Sequence, residues 1–250
     1  MEETAYAKIN LSLRVLGRES DGYHRLDTIF AFAEDGDIVR ARAGDALRLE
    51  VNGPFAAQVP AGPDNLVLRA ARALGGGRGA TLQLEKKLPV AAGLGGGSAD
   101  AAAALRLLNR LWGLGLSESA LLEIARRLGA DVPACLLSTT SRGQGRGDEL
   151  TPLHRPGLAG TPVLLVNPGI PLSTAEVFRR WRPHDGAQND LEAAALELVP
   201  EIGDVLATLR AAPGVVEAGM SGSGATCFAL FEESASPVPG PWWQLASRLR

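Results

Sequence analysis

The segment PVAAGLGGGSADAA, residues 89–102, carries the strongest local signal in this chain. Four glycines occupy the five positions from Gly93 to Gly97, directly before an alanine-rich stretch with helical spacing. Glycines let backbone N–H groups turn toward a bound anion, and the N-terminus of the helix that follows points its free N–H groups the same way. The segment therefore predicts a phosphate-binding loop. The alternative is a tight turn that needs glycine only for its shape.

Two better-known phosphate loops do not fit this segment. A Walker loop requires Lys and then Ser or Thr after its last glycine, whereas Gly97 is followed by Ser98 and Ala99. A dinucleotide fingerprint requires G-x-G-x-x-G, and the third glycine position is taken here by Ser98. The strand pattern at 80–86 also alternates, whereas the strand before a dinucleotide loop is uniformly apolar.

Strand patterns dominate the chain before the glycine segment. Residues 5–16 place Ile9, Leu11 and Leu13 at alternate positions, which predicts a strand with one buried face. The turn signals at 17–25 predict a hairpin loop after that strand. Strands are predicted at 5–16, 27–34, 37–42, 46–51 and 80–86, and a helix at 65–74.

Helical patterns dominate from the glycine segment onward. One helix is predicted over 98–112, and a second begins at Ser117 and ends near Leu128, before Gly129. The later predictions are strands at 162–166 and 226–231 and helices at 173–181, 190–198 and 201–211. This order predicts an α+β fold with two lobes. We expect an N-terminal domain at 1–150, which contains the predicted phosphate-binding loop, and a C-terminal domain at 151–250, with the glycine-rich stretch 141–149 near the boundary.

The composition restricts the class of partner. The 250 residues are 46% apolar and 21% charged, with a net charge of −3, so there is no general attraction for nucleic acid. Cys135 and Cys227 lie far apart without metal-like spacing, and we expect both to be small buried hydrophobes. The N-terminus lacks a signal-peptide pattern, and no apolar run approaches the ~20 residues of a membrane span. We therefore expect a cytoplasmic protein that contacts neither membranes nor nucleic acid.

Three segments together resemble the GHMP kinases. Residues 89–101 resemble the second motif of that superfamily, residues 7–11 (AKINL) its first, and residues 219–226 (GMSGSGAT) its third. The motifs occur in the family's order and extend across nearly the whole chain. The resemblance implies a two-lobed fold, with a ribosomal-protein-S5-domain-2-like N-terminal domain and a ferredoxin-like C-terminal domain. It also implies an ATP-dependent kinase that takes Mg²⁺ with its nucleotide.

Further segments resemble one branch of the superfamily, the 4-diphosphocytidyl-2-C-methyl-D-erythritol kinases of non-mevalonate isoprenoid biosynthesis. The matching segments are 7–11, Arg18 with 21–24 (DGYH), 64–66 (DNL), 128–133 (LGADVP), 167–169 (NPG) and 189–191 (NDL). The resemblance implies that the acceptor is the 2-hydroxyl of the methylerythritol unit. The expected partner is thus a small molecule that carries cytidine diphosphate, and the expected assembly is a monomer or homodimer.

The resemblance implies a catalytic role for Lys8 and Asp131. Asp131 would accept the hydroxyl proton, and Lys8 would keep that carboxylate ionised and offset the charge of the transferring phosphoryl group. Taken without the resemblance, Asp131 is a cap or a solvated loop residue, and Lys8 is a surface lysine on an edge strand. Asn10 would bind the substrate near its reacting centre, although the polar face that Lys8 shares with Asn10 and Ser12 has a solvent-facing alternative.

The substrate's cytidine end is implied to bind aromatic residues. Tyr23 would stack on the base, His24 would bond to its edge, and Phe178 would be the second aromatic side chain, with Thr174 near the phosphates. The alternatives are an aromatic pair in a hairpin loop and, for Phe178, a core position in its helix. A polyol or amino acid substrate needs no such clamp, so the 21–24 loop disfavours homoserine or mevalonate kinases.

The nucleotide is implied to bind around the glycine segment. Ser98 would reach a phosphate or the Mg²⁺ ion, and its alternative is an ordinary helix N-cap. Residues 221–226 would brace the loop or contact the substrate. A non-catalytic nucleotide sensor on the same fold remains the competing class, disfavoured by the presence of both Lys8 and Asp131. The implied ATP-binding residues are Asn65, Leu66, Pro89, Ala91, Ala92, Gly93, Leu94, Gly95, Gly96, Gly97 and Ser98.

Overall fold

The computed structural model describes residues 1–19, 22–60, 62–183 and 188–250. These residues form two compact units, each built from three separate segments of the chain. The domain boundary that the sequence predicts at residue 150 stays a prediction. The first unit comprises Met1–Ala7, Asp35–Val90 and Gly95–Ser138, and the second comprises Lys8–Glu34, Ala91–Leu94 and Thr139–Arg250.

Two long strands at the start of the chain contribute to the sheet of the first unit. These are β1, Glu2–Arg18, and β2, His24–Ala43, and each contributes residues to both units. In the first unit, the C-terminal half of β2 pairs antiparallel with β4, Ala80–Glu85. β4 also pairs in parallel with β3, Leu47–Asn52, which lies at the end of the strand order.

Four α-helices complete the first unit. They are α1, Leu66–Gly75, α2, Gly96–Leu111, α3, Glu118–Leu128, and α4, Val132–Leu137, and a 3-10 turn at Ala56–Gln58 precedes them. The alanines of α2 at 99 and 101–104 are buried, which lets α1 approach α2 closely. Arg106 of α2 donates to the carbonyl oxygens of Cys135 and Leu136, so a cation completes the C-terminus of α4.

The second unit contains a hairpin and an antiparallel sheet. The hairpin is β5, Ser141–Gly145, and β6, Glu149–Pro152, and β5 pairs with the N-terminal half of β2. The elements that follow the hairpin are β7, Pro162–Asn167, α5, Thr174–Arg180, α6, Glu192–Leu198, α7, Glu201–Arg210, β8, Val215–Met220, β9, Cys227–Phe231, and β10, Trp243–Arg248. The four strands form one antiparallel sheet in the order β10-β7-β9-β8.

The core of the second unit explains why α7 lies on this sheet. Ile202, Val205, Leu206 and Leu209 recur at helical spacing, and all four are buried. They pack in one cluster with apolar side chains of β7 and β9. The sheet face and the helix stripe therefore bury each other, as an α+β fold requires.

The structure confirms the predicted α+β class and corrects several local predictions. The two strands predicted at 27–34 and 37–42 form one continuous strand, β2. The stretch 141–149, where no strand is predicted, forms the β5–β6 hairpin. The predictions also missed the short helix α4 and the strands β8 and β10, of which β10 pairs with β7 beyond the proline-rich tail segment. Within the described ranges, no helix is both long and apolar enough to cross a membrane.

Candidate active site

The glycine segment adopts a conformation that leaves the start of α2 uncapped by any side chain. Gly93 and Gly95 have φ of 78° and 61°, a left-handed conformation that favours glycine. Gly95 is the N-cap of α2, and among the described residues no side-chain capping hydrogen bond is made there. The alternative of Ser98 as an N-cap is therefore wrong, because Ser98 lies inside the first turn. The uncapped N–H groups remain available to an anion.

Ala91 has a φ of 52°, unusual for a residue that carries a Cβ atom. Position 91 thus adopts a glycine-like conformation although its residue is alanine. Local strain of about 1 kcal/mol is the expected cost.

A hydrogen-bond network in the second unit fixes Gly93 against the third glycine motif. The Ser221 hydroxyl donates to the carbonyl oxygen of Gly93 at 3.0 Å. The backbone N–H of Thr226 donates to the carbonyl oxygen of Ala92 at 3.1 Å. A Cβ atom at Gly93 would lie 2.3 Å from the Ser221 carbonyl oxygen, so only glycine fits. The expectation that residues 221–226 brace the loop is met by these contacts.

Lys8 and Asn10 are buried together in the second unit. Lys8 Nζ donates to Asn10 Oδ1 at 2.6 Å and to the Gly93 carbonyl oxygen at 3.5 Å, and it lies 5.7 Å from the centre of the Phe30 ring. Asn10 Nδ2 donates to the Thr28 hydroxyl at 2.7 Å. Lys8 and Asn10 are each only 3% exposed, so the surface-lysine alternative is wrong. A buried ammonium held by directed acceptors suits the stabilisation of a phosphoryl group.

Two asparagines that received no role from the sequence hold the third motif in place. Asn189 Nδ2 donates to the carbonyl oxygens of Met220 and Gly222, each at 2.8 Å. Asn167 Nδ2 donates to the Thr226 hydroxyl at 2.9 Å. Both asparagines are 2% exposed. In the sequence, both asparagines belong to segments that resemble the family, NPG and NDL. Those segments do not indicate what the side-chain amides contact.

His24 lies in an aromatic cluster that the sequence predicted in part. Its ring stacks on Phe178, with centroids 4.8 Å apart and an interplanar angle of 27°. Trp181 meets the His24 ring edge-on with centroids 5.7 Å apart, and no pattern in the sequence indicated this neighbour. Burial and the nearby positive charge of Arg18 lower the pKa of His24, so the imidazole is neutral at pH 7. A neutral imidazole offers one donor and one acceptor to a ligand.

Tyr23 and Thr174 are close in sequence to His24 and Phe178, but their side chains contact other residues. Tyr23 is 55% exposed, and the guanidinium carbon of Arg146 lies 3.8 Å from the centre of its ring. The structure therefore pairs His24, not Tyr23, with Phe178. The Thr174 hydroxyl is 2.8 Å from the Ser223 hydroxyl, which links the start of α5 to the third motif. Asp21, the first residue of the 21–24 loop, and His184 lie outside the described residues.

Asp131 belongs to the first unit and begins α4. It occupies the N-cap position, but its side chain makes no capping hydrogen bond. Its backbone carbonyl oxygen accepts from the N–H of Cys135 at 3.1 Å, the first bond of the helix. The side chain is half-buried. Asp131 is thus the N-cap residue by its backbone position, but helix capping does not explain why its side chain is a carboxylate.

Asn65 also begins a helix of the first unit, and here the side chain does cap it. Asn65 Oδ1 accepts from the N–H of Val67 at 2.8 Å, and Nδ2 donates to the carbonyl oxygen of Pro60 at 2.8 Å. Helix capping therefore explains the presence of an asparagine side chain at this position. If adenine binds here, it would contact the backbone of Asn65 or the side chain of the neighbouring Leu66, which is half-buried.

Comparison with known proteins places the chain in a family. The profile described as "GHMP kinases N terminal domain" matches residues 65–139, and "GHMP kinases C terminal" matches residues 178–238. The chain is 50% identical to a protein of Rhizorhabdus wittichii named 4-diphosphocytidyl-2-C-methyl-D-erythritol kinase, over 99% of this chain and 94% of that protein. The chain belongs to the 4-diphosphocytidyl-2-C-methyl-D-erythritol kinase family of GHMP kinases.

Other members of the 4-diphosphocytidyl-2-C-methyl-D-erythritol kinase family agree with this placement. The chain is 48% identical to a family member of Novosphingobium aromaticivorans, over all of this chain and 93% of that protein. A crystal structure named 4-(cytidine 5'-diphospho)-2C-methyl-D-erythritol kinase superposes with a TM-score of 0.80 and 34% identity, covering 100% of this chain and 99% of that one. Both the family resemblance and the two-domain GHMP kinase fold predicted from the sequence are thus confirmed.

Proposed function

We propose that this chain transfers the γ-phosphoryl group of ATP to the 2-hydroxyl of 4-diphosphocytidyl-2-C-methyl-D-erythritol, a step of non-mevalonate isoprenoid biosynthesis. The observation that carries this proposal is the buried Lys8–Asn10–Thr28 chain of hydrogen bonds, which holds an ammonium group beside the glycine segment. Family membership over the full length of the chain supports the choice of substrate.

Lys8 and Asp131 are assigned the catalytic roles. Asp131, whose side chain makes no capping hydrogen bond at α4, accepts the proton of the 2-hydroxyl as the phosphoryl group arrives. Lys8 stabilises the charge that spreads over the transferring phosphoryl oxygens. Asn10 binds the substrate near the reacting hydroxyl and, through its Oδ1, orients the Lys8 ammonium.

The triphosphate is assigned to the glycine segment and the start of α2. Gly95 and Gly96 present backbone N–H groups at the helix N-terminus, whose dipole favours an anion. Ser98, in the first turn, provides a hydroxyl for a phosphate or for Mg²⁺. The full set of assigned ATP-binding residues is Asn65, Leu66, Pro89, Ala91, Ala92, Gly93, Leu94, Gly95, Gly96, Gly97 and Ser98.

Mg²⁺ is assigned to the nucleotide and not to a protein cage. Among the described residues, no group of three His, Cys, Asp or Glu side chains could hold a metal ion. Mg²⁺ commonly binds through one or two protein oxygens together with substrate phosphates, so the residues present fit that mode. The ion supplies charge neutralisation at the phosphates, while positioning comes from the protein.

The cytidine end is assigned to Tyr23, His24 and Phe178, with Thr174 near the diphosphate. The neutral His24 imidazole has the donor and acceptor that the edge of a cytosine requires. The exposed Tyr23 ring offers a stacking surface. We place the enzyme in the cytoplasm as a monomer or homodimer, with small molecules as its only assigned partners.

Release of ADP from Mg²⁺-ATP tests the proposal directly. We would compare 4-diphosphocytidyl-2-C-methyl-D-erythritol with homoserine, mevalonate and galactose as acceptors. Fast turnover with the cytidine substrate alone is the expected result. Turnover with a different acceptor would overturn the cytidine assignment of Tyr23 and His24. Tight ATP binding without turnover on any acceptor would indicate a nucleotide sensor instead.

A further inference from the structure

The turn between β5 and β6 carries an arginine that contacts one of the aromatic residues assigned to the cytidine. The guanidinium carbon of Arg146 lies 3.8 Å from the centre of the Tyr23 ring. A cation at this distance is attracted by the π-electrons of the ring face. The turn belongs to the glycine-rich stretch 141–149, to which neither the sequence nor the proposed function gives a role in binding. The contact therefore raises the question of what Arg146 does for the ring.

The register of β5 on β2 places Arg146 next to the cytidine subsite. The two strands are antiparallel with Gly145 opposite Leu26, so the residue after Gly145 comes level with the start of β2. An ion pair joins the hairpin to β2 in the same region, with Arg142 Nε donating to Asp27 Oδ1 at 2.8 Å. Backbone pairing and a side-chain ion pair thus hold the turn beside the loop that precedes β2.

The backbone of the turn itself is also held. Gly145 and Gly147 flank Arg146 with φ of 66° and 95°, values that favour glycine. The N–H of Gly147 donates to the carbonyl oxygen of Gln144 at 2.9 Å, and the N–H of Arg146 donates to Asp148 Oδ1 at 3.2 Å. The Arg146 side chain therefore extends from a backbone position that the turn defines.

Tyr23 combines a held backbone with an exposed ring. Its carbonyl oxygen accepts from the N–H of Glu19 at 2.7 Å, and the N–H of Gly22 donates to the carbonyl oxygen of Glu19 at 3.0 Å. The residue is 55% exposed even with Arg146 against its ring. An aromatic ring has two faces, so a cation over one face leaves the other able to stack on a base.

We propose that Arg146 is a positioning residue for cytidine binding, whose guanidinium holds the Tyr23 ring so that the opposite face stacks on the cytosine. An exposed side chain loses rotational freedom when it stacks on a ligand, and that loss weakens binding. With Arg146 over one face, part of the freedom of the ring is lost before the ligand arrives, so the ligand binds more tightly. This inference rests on the proposed function, because it takes Tyr23 as the ring that stacks on the base.

A direct ion pair with the substrate's diphosphate is the competing role for the same guanidinium. The two roles require different parts of the ligand. Positioning of Tyr23 acts on the base, so it strengthens the binding of cytidine and of CDP by the same factor. An ion pair needs the phosphates and strengthens the binding of CDP alone. The contact between Arg146 and the ring favours the first role.

NMR titrations of wild type and Arg146→Ala with cytidine and with CDP test the proposal. Saturating ADP and Mg²⁺ are present throughout, so that the added ligands do not occupy the ATP site. We expect Arg146→Ala to weaken the binding of both ligands by about two- to fivefold, the effect of an exposed cation–π contact. Weakening of CDP binding alone, or unchanged binding of both ligands, would overturn the proposal.

The matched control is Arg127→Ala, which removes the same charge at an exposed position of α3. It should bind cytidine and CDP as wild type does. Because the Arg146 side chain is exposed, Arg146→Ala should also melt at the wild-type temperature, so that weaker binding does not reflect unfolding. Equal weakening in both variants would attribute the effect to net charge and overturn the positioning role.

A double-mutant cycle tests whether Arg146 acts through Tyr23. In the Tyr23→Ala background there is no ring to hold, so adding Arg146→Ala should not weaken cytidine binding further. The same loss in both backgrounds would show that Arg146 acts independently of the ring, which contradicts the proposal.

The same titrations separate this inference from the proposed function. Wild type that binds neither cytidine nor CDP would overturn the cytidine assignment and the inference with it. Wild type that binds both, together with an Arg146→Ala variant that binds them equally well, would overturn the inference and leave the proposed function intact.

Discussion

The hydroxyl of Ser221 donates a hydrogen bond to the carbonyl oxygen of Gly93 at 3.0 Å, although 128 residues separate them. The Ser221 hydroxyl oxygen in turn accepts a hydrogen bond from the backbone N–H of Asn10 at 3.1 Å. One buried hydroxyl thus joins the first, second and third motifs of the family within the second unit. The glycine segment owes part of its shape to a residue that binds no ligand in this assignment.

Ser221→Ala should lower the free energy of unfolding by about 1–3 kcal/mol, because it leaves the Asn10 N–H buried without its acceptor. Urea denaturation gives this value. Ser119→Ala, at an exposed position of α3, is the control and should change stability by no more than about 0.5 kcal/mol. Equal stability of the two variants would show that the Ser221 bonds contribute nothing net.

Gly93→Ala and Gly97→Ala should separate loop folding from nucleotide binding. A Cβ atom at position 93 would lie 2.3 Å from one backbone oxygen and 2.8 Å from another. We therefore expect Gly93→Ala to lower the free energy of unfolding by several kcal/mol. At position 97 the nearest atom is Leu66 Cδ1 at 3.6 Å, and alanine in a helix is intrinsically favoured. Gly97→Ala should therefore melt no lower than wild type yet bind ADP more weakly. A stable Gly93→Ala variant would contradict the tight packing at that position.

Asp131→Asn should retain the fold and ADP binding but lose turnover by about 10²–10⁴-fold. Asparagine keeps the shape of aspartate, and no capping hydrogen bond at α4 is lost, so the helix should stay folded. Steady-state ADP release and a thermal melt measure the two properties. Asp45→Asn, at an exposed position, is the control for the charge change. Turnover close to wild type would remove Asp131 from the mechanism.

Tyr23→Ala should raise the KM for the cytidine substrate and leave the KM for ATP unchanged. Stacking of a base on an aromatic ring contributes about 1–3 kcal/mol, which corresponds to about 5- to 150-fold in affinity. The ring is exposed, so the melting temperature should not change. If the KM for ATP rises and that for the substrate does not, the assignment of Tyr23 is wrong.

Asp100→Asn should become increasingly stable relative to wild type as the pH rises. The pKa of Asp100 in the folded protein is about 7, raised from 3.8 by burial, so folding favours the protonated form. Wild type therefore loses stability between pH 3.8 and about 7, where the unfolded chain has released this proton and the folded one still holds it. The difference in unfolding free energy should grow by on the order of 4 kcal/mol over this pH range and be constant above pH 7. Urea midpoints at pH 5, 6, 7 and 8 measure it, and a gap independent of pH would contradict the assigned titration.

Local patterns in the sequence predicted most helices because their signals lie within a few residues. Ser117 caps α3 and Gly129 ends it, as the sequence indicates. The strand β10 was missed because its evidence is its partner β7, which is distant in the chain. The alternation of apolar and polar residues in β10 is short. It also follows several prolines, which do not indicate a strand.

The site was predictable where a motif marks it and not where tertiary contacts define it. Lys8, Asn10 and Gly93 were identified through the family motifs. Trp181 was not, because only folding brings it to the edge of His24. The burial of Lys8 was likewise open from the sequence, since alternation along a strand distinguishes two faces but does not tell which one faces solvent.

The division of β1 between the two units has a consequence for synthesis on the ribosome. Asn10 and Leu13 take their hydrogen-bond partners from Ser221 and Gln188, near the opposite end of the chain. A nascent chain therefore exposes this half of its first strand until most of its length has emerged. Chaperones that bind short apolar stretches would find a target in AKINLSLRV, nine residues that include Lys8.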